Sequence, residues 1–348
     1  MSATGGAQAA AAATESAPVE ATSTRRGSGL GKEPTALSDF LARFDHKAIP
    51  YVLIAPFFIL FIVFGLYPLL YNGVVSFQNW ENYSNQGGWA GFAHYSRVFG
   101  DGTFWHALGN TFGIFLLSTV PQLLLALILA SLLNRRLRAQ NFFRVGILLP
   151  YVTPIVASTL IFAQVFGRDH GILNSLLGNL GMHTTTITGT FSGIDWRNTP
   201  AASWTAIATM VNWKWIGYNA LLYLSAMQSI PKDVYEAAAL DGAGAWKQLW
   251  KITVPMIRPM VLFTVVLSTI GGLQLFTEPM LFEPNPQAAT GGTHGQWQTV
   301  AQLIYNWGWK HGELSYAAAM SWIMFFIIVI LAGFNAFITN RLGGGGKR

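Results

Sequence analysis

The chain has no cysteine, which excludes disulfides, thiolate metal sites and a cysteine nucleophile but leaves the compartment open. Charge is scarce as well: 10% of residues are Asp, Glu, Lys or Arg, against about 25% in an ordinary soluble domain. Hydrophobic residues make up 52%, more apolar surface than one soluble core buries, so a bilayer is the natural solvent. Metal-ligand spacing is missing too. The 7 histidines, His106, His170 and His311 among them, form no HExxH or paired pattern and read as loop or interfacial residues. Leu342 to Arg348 superficially suggests a phosphate loop, but Arg341 stands where the first glycine is needed and Arg348 replaces Ser or Thr. Gly27-Ser28-Gly29-Leu30-Gly31 has no preceding strand and is no dinucleotide fingerprint. No catalytic constellation is present, so an enzyme is not expected.

What is present is a series of long charge-poor windows, at approximately 51–72, 107–133, 144–166, 203–229, 258–281 and 315–339. Each exceeds the about 20 residues needed to cross a bilayer as a helix. The expected fold is therefore all-α and polytopic, with six transmembrane helices. Lys214 and Glu278 interrupt the windows, with Arg258 at a boundary. A full charge at mid-membrane costs ~2.5–3.5 kcal/mol on insertion scales unless it snorkels or finds a partner. Lys214 therefore either snorkels beside Trp213 and Trp215 or pairs with Glu278.

Placing the N-terminus inside puts most of the 21 basic residues in the cytoplasm and leaves Arg97, Arg168, Arg197 and Lys310 outside. That distribution favours cytoplasmic termini. The net charge of +6 is then explained by a basic face against anionic lipid and requires no nucleic-acid partner. Residues 1–48, rich in Ala, Ser, Thr and Gly, read as a disordered cytoplasmic tail. Residues 49–341 hold the membrane domain, and 342–348 form a short cytoplasmic tail. Arg25-Arg26 lies too far from the first apolar run for a twin-arginine signal, so the first span is expected to remain as an anchor.

On the outer side, segment 79–106 carries Trp80, Trp89 and Trp105, rings suited to the interface. GILNSLLGNLG, within 167–202, is expected to be a short helix over the outer mouth, and 283–313 a long outer loop with Gly291, Gly292, Trp297, Trp307 and Trp309. Pro150 and Pro154 bend the third span, either as a gate or as a static kink.

Between two of the windows lies EAAALDGAGAWKQLWKITVP, from Glu236 to Pro255. Pro231 suits a first helical turn, and Asp233 and Glu236 complement the helix dipole. Gly242 and Gly244 allow a turn into a second helix. There Trp246, Leu249 and Trp250, at i, i+3 and i+4, share a face that either fills a partner's groove or packs on its own bundle.

Glu236, Ala237 and Ala238, followed by Asp241, Gly242 and Pro255, resemble the EAA loop of binding-protein-dependent ABC importer permeases, with Val254 where the family more often has Leu. NTFGIFLLSTVPQLLLALILASLLNRR, FFRVGILLPYVTPIV, WKWIGYNALLYLSAMQSIP, GGLQLFTEP and AAAMSW resemble the MalF-like carbohydrate-uptake branch, over roughly residues 50–340. Unlike the maltose-type subunit, the chain has no large inserted outer domain and no extra pair of N-terminal spans.

The resemblance implies the MetI/MalF-like permease fold in a bacterial inner membrane, with segment 231–256 docking on a separate ATPase. It also implies a MalG-like second permease, two ATP-binding subunits and an extracytoplasmic sugar-binding protein. ATP and Mg would be bound by the partner ATPase, with no cofactor on this chain. Glu236 would face the ATPase and Gly242 would permit close approach. By position, Lys214, Trp215, Tyr218, Ser268, Gly271, Gly272, Gln274 and Leu275 are similar to family residues around bound sugar, with Glu278 as the nearby acid. Gly271 and Gly272 either widen a cavity or let helices pack closely. Alternatives are a permease for polyamine or glycerol phosphate, a secondary carrier, or a membrane enzyme.

Overall fold

Residues 36–81, 84–135, 138–168, 170–186, 189–283 and 290–343 are described by the computed structural model. They fall into two units, Met1–Gly65 and Leu66–Arg348. In the first, α1 (Ala36–Phe61) begins inside the stretch whose composition suggests a disordered tail. Leu37, Phe40, Leu41 and Phe44 recur there at helical spacing, which lets the helix start early. Residues 1–35 of that tail lie outside the described residues. Ile49–Val75 is long and apolar enough to cross a membrane.

The second unit opens with α2 (Tyr67–Val75), a hairpin of β1 (Gln78–Glu81) and β2 (Ser84–Trp89), and α3 (Ala93–Gly100). The span α4 (Gly102–Leu133) starts at Asp101, whose carboxylate accepts from the Thr103 amide at 2.8 Å. The expected third span is not one helix: α5 (Gln140–Val152) and α6 (Ile155–Val165) meet at 91°. Pro154 is the cause. It holds Thr153 extended, with φ −64° and ψ 133°, whereas Pro150 is absorbed inside α5. Next come α7 (Ile172–Asn179), a short helix where the sequence leads one to expect it, and a second hairpin of β3 (His183–Thr186) and β4 (Gly189–Ser192).

At 29 residues, α8 (Pro200–Gln228) has the length of a span. Asn212, Lys214 and Asn219 lower its apolarity, and it is not among the three helices that qualify by composition alone. Then follow α9 (Lys232–Leu240), α10 (Ala245–Gln248), a π-helical turn (Leu249–Thr253) and α11 (Val254–Met256). This arm meets α12 (Arg258–Leu273) at 78°. The fifth span ends at Leu273 rather than at 281, because the chain leaves the helix before α13 (Thr277–Leu281). The sheet content is confined to the two small hairpins among the described residues.

The region expected to be a long outer loop is largely built structure. It contains α14 (Val300–Tyr305), capped reciprocally by Thr299 and Gln302, and a π-helical turn (Asn306–Lys310) before α15 (Leu314–Gly343). Trp297 is fully buried, not interfacial. Its indole donates to the Pro279 carbonyl at 3.1 Å. Asn110 donates to the carbonyls of Gly295 and Gln298, and Trp204 to that of Gln296. Gly291, at φ 73°, has no room for a side chain, since a Cβ would lie 2.2 Å from the Gln298 amide nitrogen.

The central pair is α4 with α8, where Ala126, Leu127 and Ala130 pack with Ala220, Tyr223, Leu224 and Met227. Beside the N-terminal end of α4, Arg97 pairs with Glu313 and lies over the Tyr316 ring, 3.9 Å from its centroid. The Tyr316 hydroxyl donates to Asp101 at 2.7 Å, tying α4 to α15. Burial opposes the charge on Asp101, but hydrogen bonds from Tyr316 and Thr103 and the nearby Arg97 together hold its carboxyl below the ordinary 3.8. A depressed carboxylate stabilises the fold above its unfolded value and loses that contribution as pH falls through its folded value. Thermal melts should therefore show Asp101→Asn less stable than the unaltered chain at neutral pH, with the gap closing as pH falls below 3.8. A gap independent of pH would contradict this linkage.

Candidate functional site

Beside the break between α5 and α6, where α8 and the C-terminal end of α12 also meet, lies a cavity of about 460 Å³. Its wall includes Trp215, Tyr218, Ser268, Gly271, Gly272, Gln274, Leu275 and Glu278, which the sequence had marked as substrate-path candidates. Lys214 is the exception. It does not line the cavity, nor does it snorkel or form an ion pair with Glu278 among the described residues. Its ammonium donates to the carbonyls of Thr153 at 2.7 Å and Tyr151 at 3.3 Å. These acceptors are left without helical partners by the break at Pro154, and a buried lysine satisfies them. The charge in mid-span and the broken helix thus explain each other.

Tyr151 owes its place to that anchor. Its ring stacks on Tyr218 at 4.6 Å between centroids and meets Trp215 edge-on at 5.4 Å. Together they form an aromatic panel along one side of the cavity. The wall also carries neutral polar groups, with Gln122 donating to the Ser268 hydroxyl at 3.3 Å. Thr119, Gln122, Tyr151 and Asn219 line the same space but did not stand out in the sequence. Uncharged hydrogen-bonding residues inside charge-poor spans were the available signal. Replacing Lys214 with Met should lower the melting temperature of the purified chain, because each orphaned buried carbonyl costs about 1–3 kcal/mol. An unchanged melt would show that the anchor is unnecessary.

The two glycines divide between the roles open to them. A Cβ on Gly271 would meet nothing within 4 Å, so its absence enlarges the cavity, whereas one on Gly272 would come 2.8 Å from the Phe115 ring. Gly272 is therefore also a packing glycine between α12 and α4.

Beyond the C-terminal end of α8, segment 231–256 forms the expected helical hairpin. Pro231 is the cap of α9 rather than part of its first turn. Gly242 makes the reversal at φ 73°, a conformation in which an L-residue costs roughly 1–2 kcal/mol. Gly244 has φ −65° and caps α10. Tyr235 and Thr253 join the two arms through a 3.1 Å hydroxyl contact. Leu249 departs from expectation: it is buried with Met227, Ile230 and Ile257 instead of sharing an outer ridge with the tryptophans. Trp246 and Trp250 do project, 63% and 38% exposed, with rings edge-to-face at 5.7 Å. Leu240, 90% exposed, joins them on the surface and was missed because it falls outside the aromatic repeat. Glu236, Ala237, Asp241 and Pro255 are exposed, while Ala238 is buried against the bundle.

The comparisons with known proteins agree with this geometry. The chain is 35% identical to the lactose transport system permease protein LacF of Rhizobium radiobacter, covering 81% of this chain and 91% of that protein. It is 29% identical to the arabinooligosaccharides transport system permease protein AraP of Halalkalibacterium halodurans, covering 86% and 90% respectively. A chain of a bacterial alginate ABC transporter, solved with an alginate pentasaccharide-bound periplasmic protein, has the same fold at TM-score 0.72 and 20% identity, covering 87% of this chain and 97% of that one. Residues 122–344 match the family described as binding-protein-dependent transport system inner membrane component. That match includes the hairpin, most of the cavity wall and the last span, and the chain belongs to this family of transport permeases.

Proposed function

We propose that the chain is the MalF-like permease subunit of an ATP-driven importer for a di- or oligosaccharide. The observation that carries this reading is the cavity itself. Its wall combines the aromatic panel of Tyr151, Trp215 and Tyr218 with the neutral polar groups of Gln122, Asn219 and Ser268. Sugars present apolar C–H faces to rings and hydroxyls to neutral hydrogen-bonding groups, and a mostly apolar wall with a few polar groups fits both. The printed names of the relatives, lactose and arabinooligosaccharide permeases, support the same class. Glycerol phosphate would call for a cation on the wall, and a polyamine for several acids. Neither is found among the described lining residues.

In this reading a second, MalG-like permease completes the pathway, and an extracytoplasmic sugar-binding protein delivers the solute. Two ATPase subunits, which bind ATP and Mg, dock on the hairpins. Trp246, Trp250 and Leu240 provide apolar contact area, while Glu236 sets register, because an exposed ion pair contributes only about 0–1 kcal/mol. Both termini lie in the cytoplasm. The break between α5 and α6, which borders the cavity, is where such a pathway would change access.

Uptake of labelled disaccharides by cells carrying the complete importer tests the proposal. Trp215→Ala and Tyr218→Ala should each lower uptake about tenfold or more through loss of ring contact and its buried area. Uptake that continues without any ATPase would instead indicate a secondary carrier, and full activity in both variants would remove the cavity from the path.

A further inference from the structure

Glu278 is the one carboxylic acid on the cavity wall among the described residues, and no Lys, Arg or His lines it. It is 4% exposed and lies in the first turn of α13. Lys214 acts on it through space, but that ammonium is held by the carbonyls of Tyr151 and Thr153, behind the wall. The other polar groups on the wall, among them Gln122, Asn219, Ser268, Gln274 and the Tyr151 and Tyr218 hydroxyls, are neutral side chains.

A buried carboxylate requires donors, and a ligand is the obvious source when the protein supplies few. Sugar hydroxyls are donors without charge. A ligand carboxylate or phosphate would meet a like charge at short range where water is largely excluded, and there the repulsion is several-fold stronger than in bulk water.

We propose that Glu278 makes the cavity selective for uncharged saccharides: its carboxylate accepts from their hydroxyls and rejects uronic acids and sugar phosphates of similar size. This rests on the cavity being a sugar path. The test is calorimetric titration of the purified full-length chain in lipid nanodiscs, with any subunits that accompany it, using lactose and digalacturonate as probes. The unaltered protein should bind lactose at least about tenfold more tightly than digalacturonate. Glu278→Gln should shrink that preference to within about threefold by gaining affinity for the uronate, whereas Glu278→Asp, which keeps the charge, should retain it. An unaltered protein without preference, or a Glu278→Gln variant that keeps the full preference, would overturn the filter while leaving the sugar path intact. Equal loss of lactose binding in both variants would assign Glu278 a purely structural role and overturn it as well. Binding of neither probe to the unaltered protein would defeat the sugar path and the filter together.

Discussion

Replacing Gly242 with Asp is expected to leave the chain inserted in the membrane and to abolish ATP-driven uptake. The backbone there sits at φ 73°, and a Cβ would meet no atom of this chain within 4 Å. The fold thus bears only the conformational penalty, roughly 1–2 kcal/mol, and aspartate is among the residues that tolerate this region best. What the substitution adds is bulk and negative charge on a bare turn, beside Asp241, on the surface that the proposal presents to the ATPase. Like charge in an interface costs several kcal/mol, which corresponds to a loss of about 100-fold or more in complex formation. Uptake assays on membranes with verified amounts of the chain provide the readout, and Gly242→Ala, with no charge and a single added carbon, should be milder. Normal coupled uptake by Gly242→Asp would remove the case for this loop.

The second large effect is expected at Gly217, where α8 passes closest to α5. A Cβ there would lie 1.8 Å from the Ile147 carbonyl oxygen, a backbone atom that no rotamer change can clear. Overpacking a core typically costs 1–3 kcal/mol and occasionally more. Here relief requires α5 to move away, taking Tyr151 out of its stack on Tyr218 and the Thr153 carbonyl away from Lys214. Gly217→Val should therefore reduce the yield of folded protein in membranes and lower its melting temperature by several degrees. Gly271→Val is the informative contrast. Its Cβ would meet nothing within 4 Å, so folding should survive while uptake falls because the cavity shrinks. Equal stability of the two variants would mean that the α5–α8 contact is looser than the structure indicates.

Lys214 marks the limit of what the sequence made legible. A lysine in an apolar window announces itself by its cost, and the nearest acid, Glu278, was the natural partner to suspect. The actual partners are backbone carbonyls, and only the fold reveals which helix has been broken to expose them. Both prolines of the third span were visible, yet Pro150 sits inside α5 while Pro154 breaks the chain. The outcome depends on whether neighbouring groups satisfy the freed backbone, which spacing does not encode. The hairpin was easier to read because its glycine and capping positions act locally. Leu249 was misplaced there because the π-helical turn and the core formed with Met227 and Ile257 override simple helical periodicity. The stretches of cavity wall on α8 and on α12 to α13 followed from the motif positions, whereas Thr119 and Gln122 of α4 and Tyr151 of α5 are brought there only by packing.

A hairpin that lies at the inner face and receives an ATPase, as proposed, is directly testable because the chain has no native cysteine. Trp246→Cys and Trp250→Cys variants, made singly in the complete importer, should be shielded from membrane-impermeant thiol reagents in intact cells. They should react in inverted vesicles and form cross-links to the ATPase subunit that weaken or shift when ATP is added. Labelling of either position from outside the cell, or a purified active complex that contains no ATPase, would contradict the account.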